Sequence, residues 1–110
     1  MDLTLEVRTE NDTPILEVGG EVDIYTAPKL REKLVELIDG GNDRIVVDLE
    51  QVGFMDSTGL GSLVAGLKRI RERDGELVIV CTREPVLKVL AITGLDRVFP
   101  VHDSVGNALG

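Results

Sequence analysis

The feature that most constrains this chain is a switch of apolar period, repeated along its length. Stretches in which apolar residues alternate or run together give way to stretches in which they recur every three to four positions. The first pattern belongs to strands and the second to helices. Leu3, Leu5 and Val7 alternate with polar residues, and Asn11-Asp12-Thr13-Pro14 reads as a turn. Ile15 to Val22 resumes the extended pattern, so the chain should open with an antiparallel hairpin. A helix is expected from near Thr26, which suits an N-cap, with Pro28 in the first turn. Leu30, Leu34, Leu37 and Ile38 share one face of it, and Gly40-Gly41 stops it.

Ile45-Val46-Val47-Asp48-Leu49 is a short, mostly apolar run, the pattern of a strand covered on both faces. A second helix is expected from about Ser57 to Arg73, with Leu60, Leu63, Val64, Leu67 and Ile70 as its stripe and Gly75 after it. Leu77 to Cys81 should be the next strand. Pro85 opens a third helix carrying Val86, Leu87, Val89 and Leu90, closed by Gly94. Val98-Phe99-Pro100-Val101 reads as a short final extended piece, and Asp103 as the cap of a last short helix. A hairpin followed by repeated strand–helix units predicts a single α/β domain over residues 1–110. Its sheet should be mixed, with four or five strands and helices packed against it.

Composition narrows the function. With 43% hydrophobic residues the chain can bury a core, yet only Tyr25, Phe54 and Phe99 are aromatic, so that core must be aliphatic. So few rings make base stacking on nucleic acid nearly unavailable. The net charge of −8 repels phosphate backbones and anionic lipids, and suits a basic patch on a protein partner. No direct nucleic-acid or membrane partner is expected. The single Cys81 excludes an intrachain disulfide, CxxC redox chemistry and cysteine-rich zinc sites, and the single His102 leaves no histidine cluster. No metal or other cofactor is implied. The acidic start Met1-Asp2-Leu3-Thr4-Leu5-Glu6 lacks a basic signal-peptide region, and no apolar run approaches the roughly 18 residues of a membrane span. The expected location is the cytoplasm.

Several catalytic motifs nearly appear and fail. Gly59-Leu60-Gly61 follows a strand and opens a helix, but Val64 stands where a dinucleotide fingerprint needs its third glycine. Gly61 to Lys68 misses a P-loop because Leu67 stands in the lysine position. Met55, two residues before Ser57, removes the nucleophile elbow of a serine hydrolase, and nothing in the spacing joins His102 to a serine. Lys68, Arg69, Arg71 and Arg73 crowd the end of the second helix, where cations complement the dipole. An enzyme is not expected.

The informative segment is Phe54-Met55-Asp56-Ser57-Thr58-Gly59-Leu60-Gly61, between a strand and a helix. Its plain reading is a cap, with Asp56 or Ser57 accepting an N–H from the first turn. A serine there can also carry a phosphate, which would meet first-turn N–H groups and the positive end of the dipole. Asp23 follows the second predicted strand as Ser57 follows the third. If those strands are parallel neighbours, Asp23, Asp56 and Ser57 cluster at the carboxyl edge of the sheet, where open α/β sheets place sites. Asp23 reads equally well as a turn residue.

These segments resemble the anti-sigma factor antagonist family, within the wider sulphate transporter and anti-sigma antagonist (STAS) domains. Gly20-Glu21-Val22-Asp23-Ile24-Tyr25-Thr26-Ala27-Pro28-Lys29-Leu30 is similar to the family's first signature. Val47-Asp48-Leu49 leading to Met55-Asp56-Ser57-Thr58-Gly59-Leu60-Gly61 is similar to its phosphorylation segment, and Thr93 to Phe99 to its late pattern. The resemblance implies a STAS fold and a partner-switching circuit. The unphosphorylated antagonist binds an anti-sigma factor and frees a sigma factor. The anti-sigma factor is also a serine kinase that phosphorylates the residue matching Ser57, and a phosphoserine phosphatase reverses this. Carried over by position, Ser57 is the phosphoacceptor, and Asp23, Asp56, Ser57, Thr58 and Gly59 lie at the partner surface. The alternative is a STAS subunit of a signalling scaffold or a lipid-transport complex.

Overall fold

The computed structural model describes residues 2–110. The chain opens with an antiparallel hairpin, β1 (Leu3–Glu10) and β2 (Thr13–Val22). Its turn is tighter than the expected four residues. Asn11 and Asp12 alone make it, at φ 51° and 60°, and Thr13 and Pro14 already belong to β2. Two consecutive residues at positive φ match the twist of the flanking strands, and Asn and Asp tolerate that region.

After α1 (Ala27–Asp39) come β3 (Arg44–Met55), α2 (Ser57–Arg71), β4 (Glu76–Val80) and α3 (Glu84–Thr93). Gly94 adopts φ 76° at the end of α3, the left-handed stop that glycine makes without strain. A single 3₁₀ turn (Leu95–Arg97), β5 (Val101–His102) and α4 (Val105–Leu109) complete the chain. The sheet order is β1-β2-β3-β4-β5, and every neighbouring pair except β1–β2 is parallel.

The expected mixed α/β sheet with packed helices is present. The differences lie at boundaries. β3 runs on from the apolar run to Met55, because Gln51 to Met55 pair with Gly19 to Val22 of β2 through two register shifts. The last strand is Val101–His102 rather than 98–101, since Leu95–Arg97 coil and Phe99 turns into the core. Ser104, not Asp103, caps α4, its hydroxyl accepting from Asn107 N–H at 3.1 Å.

The core is aliphatic and two-sided. Leu16, Val18, Ile45, Val47, Leu49, Leu77 and Ile79 of the sheet pack with Leu30, Leu34, Leu63, Leu67, Val86 and Leu90 of α1, α2 and α3. On the other side Ile15, Val46, Val78 and Val80 pack with Ala108 of α4. Ile45, Val46 and Val47 are each fully buried, as a strand sandwiched between helices requires.

Candidate functional site

The parallel pairing of β2 with β3 ends at Val22 opposite Met55. Asp23 and Asp56 are therefore the first residues beyond two adjacent strand ends. The Asp56 N–H donates to the Val22 carbonyl at 3.1 Å, which ties the two loops together. This is the carboxyl edge of the sheet, where side chains escape the core.

Asp23 organises its own loop. Its Oδ1 accepts from the N–H groups of Tyr25 at 2.9 Å and Thr26 at 3.0 Å. The Thr26 hydroxyl accepts from Asp23 N–H at 2.9 Å and donates to the Glu21 carbonyl at 2.7 Å. Thr26 thus occupies the N-cap position of α1 but uses its side chain backwards, toward the strand end, and makes no cap bond to the helix. The turn reading of Asp23 and its placement beside the serine loop hold together.

Asp56 caps α2. Its Oδ1 accepts from Thr58 N–H at 2.9 Å, Gly59 N–H at 3.2 Å and the Thr58 hydroxyl at 2.5 Å. The Thr58 hydroxyl bond, with the Gly59 and Thr58 N–H groups, holds the Asp56 carboxyl below the usual carboxylate range despite partial desolvation. Ser57 is the first residue of α2 and is exposed. Thr58 is exposed too, but its hydroxyl is engaged by Asp56. Ser62, the next hydroxyl along, is buried and donates to the Ala27 carbonyl at 2.9 Å, fastening α2 to the start of α1. Of these three hydroxyls, Ser57 combines exposure with freedom from such a bond among the described residues.

Gly59 lies beneath this surface. It is buried, and a Cβ there would stand 2.8 Å from Met55 Cγ and from Val22 Cγ1. Glycine lets the first turn of α2 rest directly on the ends of β2 and β3, so it positions the loop rather than presenting a surface.

Sequence reasoning missed the apolar rim. Ile24 is 63% exposed, Tyr25 83% and Phe54 48%, and all three belong to the two loops or the strand end beside them. A groove of about 440 Å³ opens among Ile24, Pro28, Arg31, Thr58 and Gly61. Glu21, opposite Phe54 in the pairing, is half-buried, and its Oε2 has no hydrogen-bond partner among the described residues. The available signal was position: Glu21, Ile24, Tyr25 and Phe54 each sit within three residues of Asp23 or Asp56.

Other singled-out residues are placed elsewhere. Cys81 is buried, and burial pushes its thiol up, away from reactivity. His102 sits half-buried in β5. Two residues of the basic run serve α1: Arg69 grips Asp39 through two bonds of 2.8 and 2.7 Å, and Arg73 donates to the Ile38 carbonyl at 2.8 Å, while Arg71 reaches the Val98 carbonyl. Among the described residues no group of histidine, cysteine and carboxylate side chains is arranged to hold a metal ion. No described helix is long and apolar enough to cross a membrane.

Residues 4–108 match the STAS domain. An anti-sigma-B factor antagonist of Staphylococcus aureus is 39% identical over 94% of this chain and 95% of its own length. An anti-sigma factor antagonist from Mycobacterium paratuberculosis has a crystal structure that superposes with a TM-score of 0.91 at 28% identity, covering 98% of this chain and 92% of that one. The Bacillus cell fate determinant SpoIIAA, solved in a phosphorylated form, shares the fold at a TM-score of 0.73 and 22% identity, covering 98% and 96%. Matched by the STAS domain along almost all of its length, and by a named antagonist along almost all of that protein's, the chain belongs to the anti-sigma factor antagonist family of STAS domains.

Proposed function

We propose that this chain is an anti-sigma factor antagonist whose binding surface centres on Asp23, Asp56, Ser57 and Thr58, with Gly59 seating the loop, and that phosphorylation of Ser57 releases the partner. The partner is an anti-sigma factor with serine kinase activity, a phosphoserine phosphatase restores binding, and the circuit operates in the cytoplasm as one domain. The observation that carries this reading is the exposed Ser57 at the start of α2, flanked by two loops that the parallel β2–β3 pairing brings together.

The chemistry follows from the surroundings. The Ser57 Oγ attacks the γ-phosphorus of the kinase's ATP, loses its proton and expels ADP. The modified residue carries about −1.5 to −2 charge at neutral pH. The first-turn N–H groups expected to receive this phosphate are partly committed already. Asp56 Oδ1 already takes the Thr58 and Gly59 N–H groups, and the Asp56 carbonyl takes that of Leu60 at 3.1 Å. The phosphate would therefore stand beside an ionised carboxylate that already takes the Thr58 and Gly59 N–H groups, leaving the N–H of Ser57 itself as the first-turn donor without a partner among the described residues. A docking partner must desolvate or face that charge pair, and a cost of about 3 to 4 kcal/mol weakens binding a few hundred-fold.

Titration calorimetry with the purified anti-sigma factor, before and after phosphorylation, tests this directly. Ser57→Ala should bind like the unmodified protein and take up no label from ATP. Ser57→Asp should fold, bind weakly and also take up none. Equal affinity of phosphorylated and unmodified wild type would overturn the switch. Failure of the unmodified chain to bind any anti-sigma factor would favour a scaffold or transport subunit.

A further inference from the structure

β1 is an outer strand of the sheet and, among the described residues, pairs with β2 alone. Its eight residues, Leu3 to Glu10, contain no proline, lysine or bulge, three of the devices that protect an edge, and the charges it does carry, Glu6, Arg8 and Glu10, are of both signs. Because the hairpin turn has two residues, the pair Glu10–Thr13 exchanges both of its bonds, and the alternation of an antiparallel ladder follows from there. The N–H and C=O groups of Glu6 and Arg8 face β2, while those of Leu5, Val7 and Thr9 face outward. Asp2, of the same parity as Glu6, agrees: its carbonyl accepts from Glu21 N–H at 3.2 Å. The Val7 side chain, in the middle of the strand, is 42% exposed.

We propose that β1 is a self-association edge, on which a second copy of this chain pairs its own β1 antiparallel about a twofold axis at Val7. Charge selects this register. With the axis at Val7, Val7 faces Val7, Leu5 faces Thr9, and Glu6 of each copy faces Arg8 of the other. Moving the axis one residue toward the amino end sets Glu6 against Glu6. Moving it one residue the other way sets Arg8 against Arg8 and Glu6 against Glu10. Like charges directly opposite destabilise a pair and opposite charges stabilise it. Arg8 spends Nε on Glu17 and Nη1 on Glu10, so Nη2 is the nitrogen left to meet the second copy's Glu6. Val7 lies opposite Leu16, in the middle of β2, whereas the serine loop lies beyond Val22. The dimer therefore carries two exposed Ser57 sites on one continuous sheet.

Sedimentation equilibrium in about 0.15 M salt, where the Debye length is about 8 Å and the general repulsion between two acidic chains is screened, measures the dimer. Glu6→Arg sets cations opposite each other and Arg8→Glu sets anions opposite each other, so each alone should raise the dissociation constant about tenfold or more. Mixed in equal amounts they restore opposite charges at both pairs, and a heterodimer of wild-type affinity should form. Val7→Pro removes an outward N–H, spares the β1–β2 ladder and should leave a folded monomer by circular dichroism. It decides the matter alone if Arg8→Glu does not fold. A wild type that stays monomeric at about 1 mM, folded single variants that dimerise as wild type, a folded mixture that does not pair, or a Val7→Pro dimer of undiminished affinity would each overturn the proposal.

Discussion

One carboxylate, Asp56, accounts for much of the site's local order. It closes the first turn of α2 with three bonds, and the Thr58 hydroxyl and nearby N–H groups hold its carboxyl below the ordinary value of 3.8. A group lowered in the folded state stabilises above its unfolded value, and that stabilisation disappears as pH falls through the lower folded value. Asp56→Ala should cost about 1 kcal/mol at neutral pH, and the cost should shrink in acid, where the neutral carboxyl is a weaker acceptor, which melts between pH 7 and 2 would check. Asp48 behaves oppositely. Burial pushes its carboxyl up, and the charges of Glu17 and Glu50 add to this while a bond from Glu50 N–H opposes it. A raised carboxyl stabilises below its ordinary value of 3.8 and loses that contribution as pH rises through the folded value. Its charge at neutral pH stands directly opposite Glu17 in the β2–β3 pairing. Asp48→Asn keeps an acceptor for Glu50 N–H and removes the charge, so it should stabilise by about 0.5 kcal/mol at pH 7. A lower melting temperature would contradict this.

At the scale of elements, the seating of α2 on the strand ends matters most. Gly59→Ala places a Cβ against Met55, Val22 and the Val22 carbonyl. It should cost about 1–3 kcal/mol in urea unfolding and displace the serine loop, weakening partner binding as well. Binding at wild-type strength in the folded variant would separate the loop's position from its function. The basic end of α2 was legible as a cluster but not as a clamp. Only the packing of α2 beside α1 reveals that Arg69 and Arg73 reach Asp39 and the Ile38 carbonyl.

For the whole molecule, the distribution of aromatic rings separates core from surface. Phe99 is 2% exposed, whereas Tyr25 and Phe54 stand open beside the serine loop. Phe99→Ala should cost about 3–5 kcal/mol, because it empties a packed site. Phe54→Ala should change stability by less than about 0.5 kcal/mol and yet reduce anti-sigma factor affinity. Equal destabilisation by the two, measured in one urea series, would refute the division.

The alternation of periods was enough to establish an α/β domain, its aliphatic core and a serine at a strand-to-helix junction. Those properties are local: each run of residues announces whether it faces a core every second or every third to fourth position. Tertiary structure alone decided that β2 and β3 are parallel neighbours ending at the same level, which brings Asp23 beside Asp56. It also decided that Asp56 engages the Thr58 hydroxyl while Ser57 stays exposed. Strand order and side-chain hydrogen bonding depend on groups far apart in the chain, and no local period encodes them. The tail shows the same limit, since Phe99 left the expected strand because a buried ring outweighs a β-rich stretch of four residues.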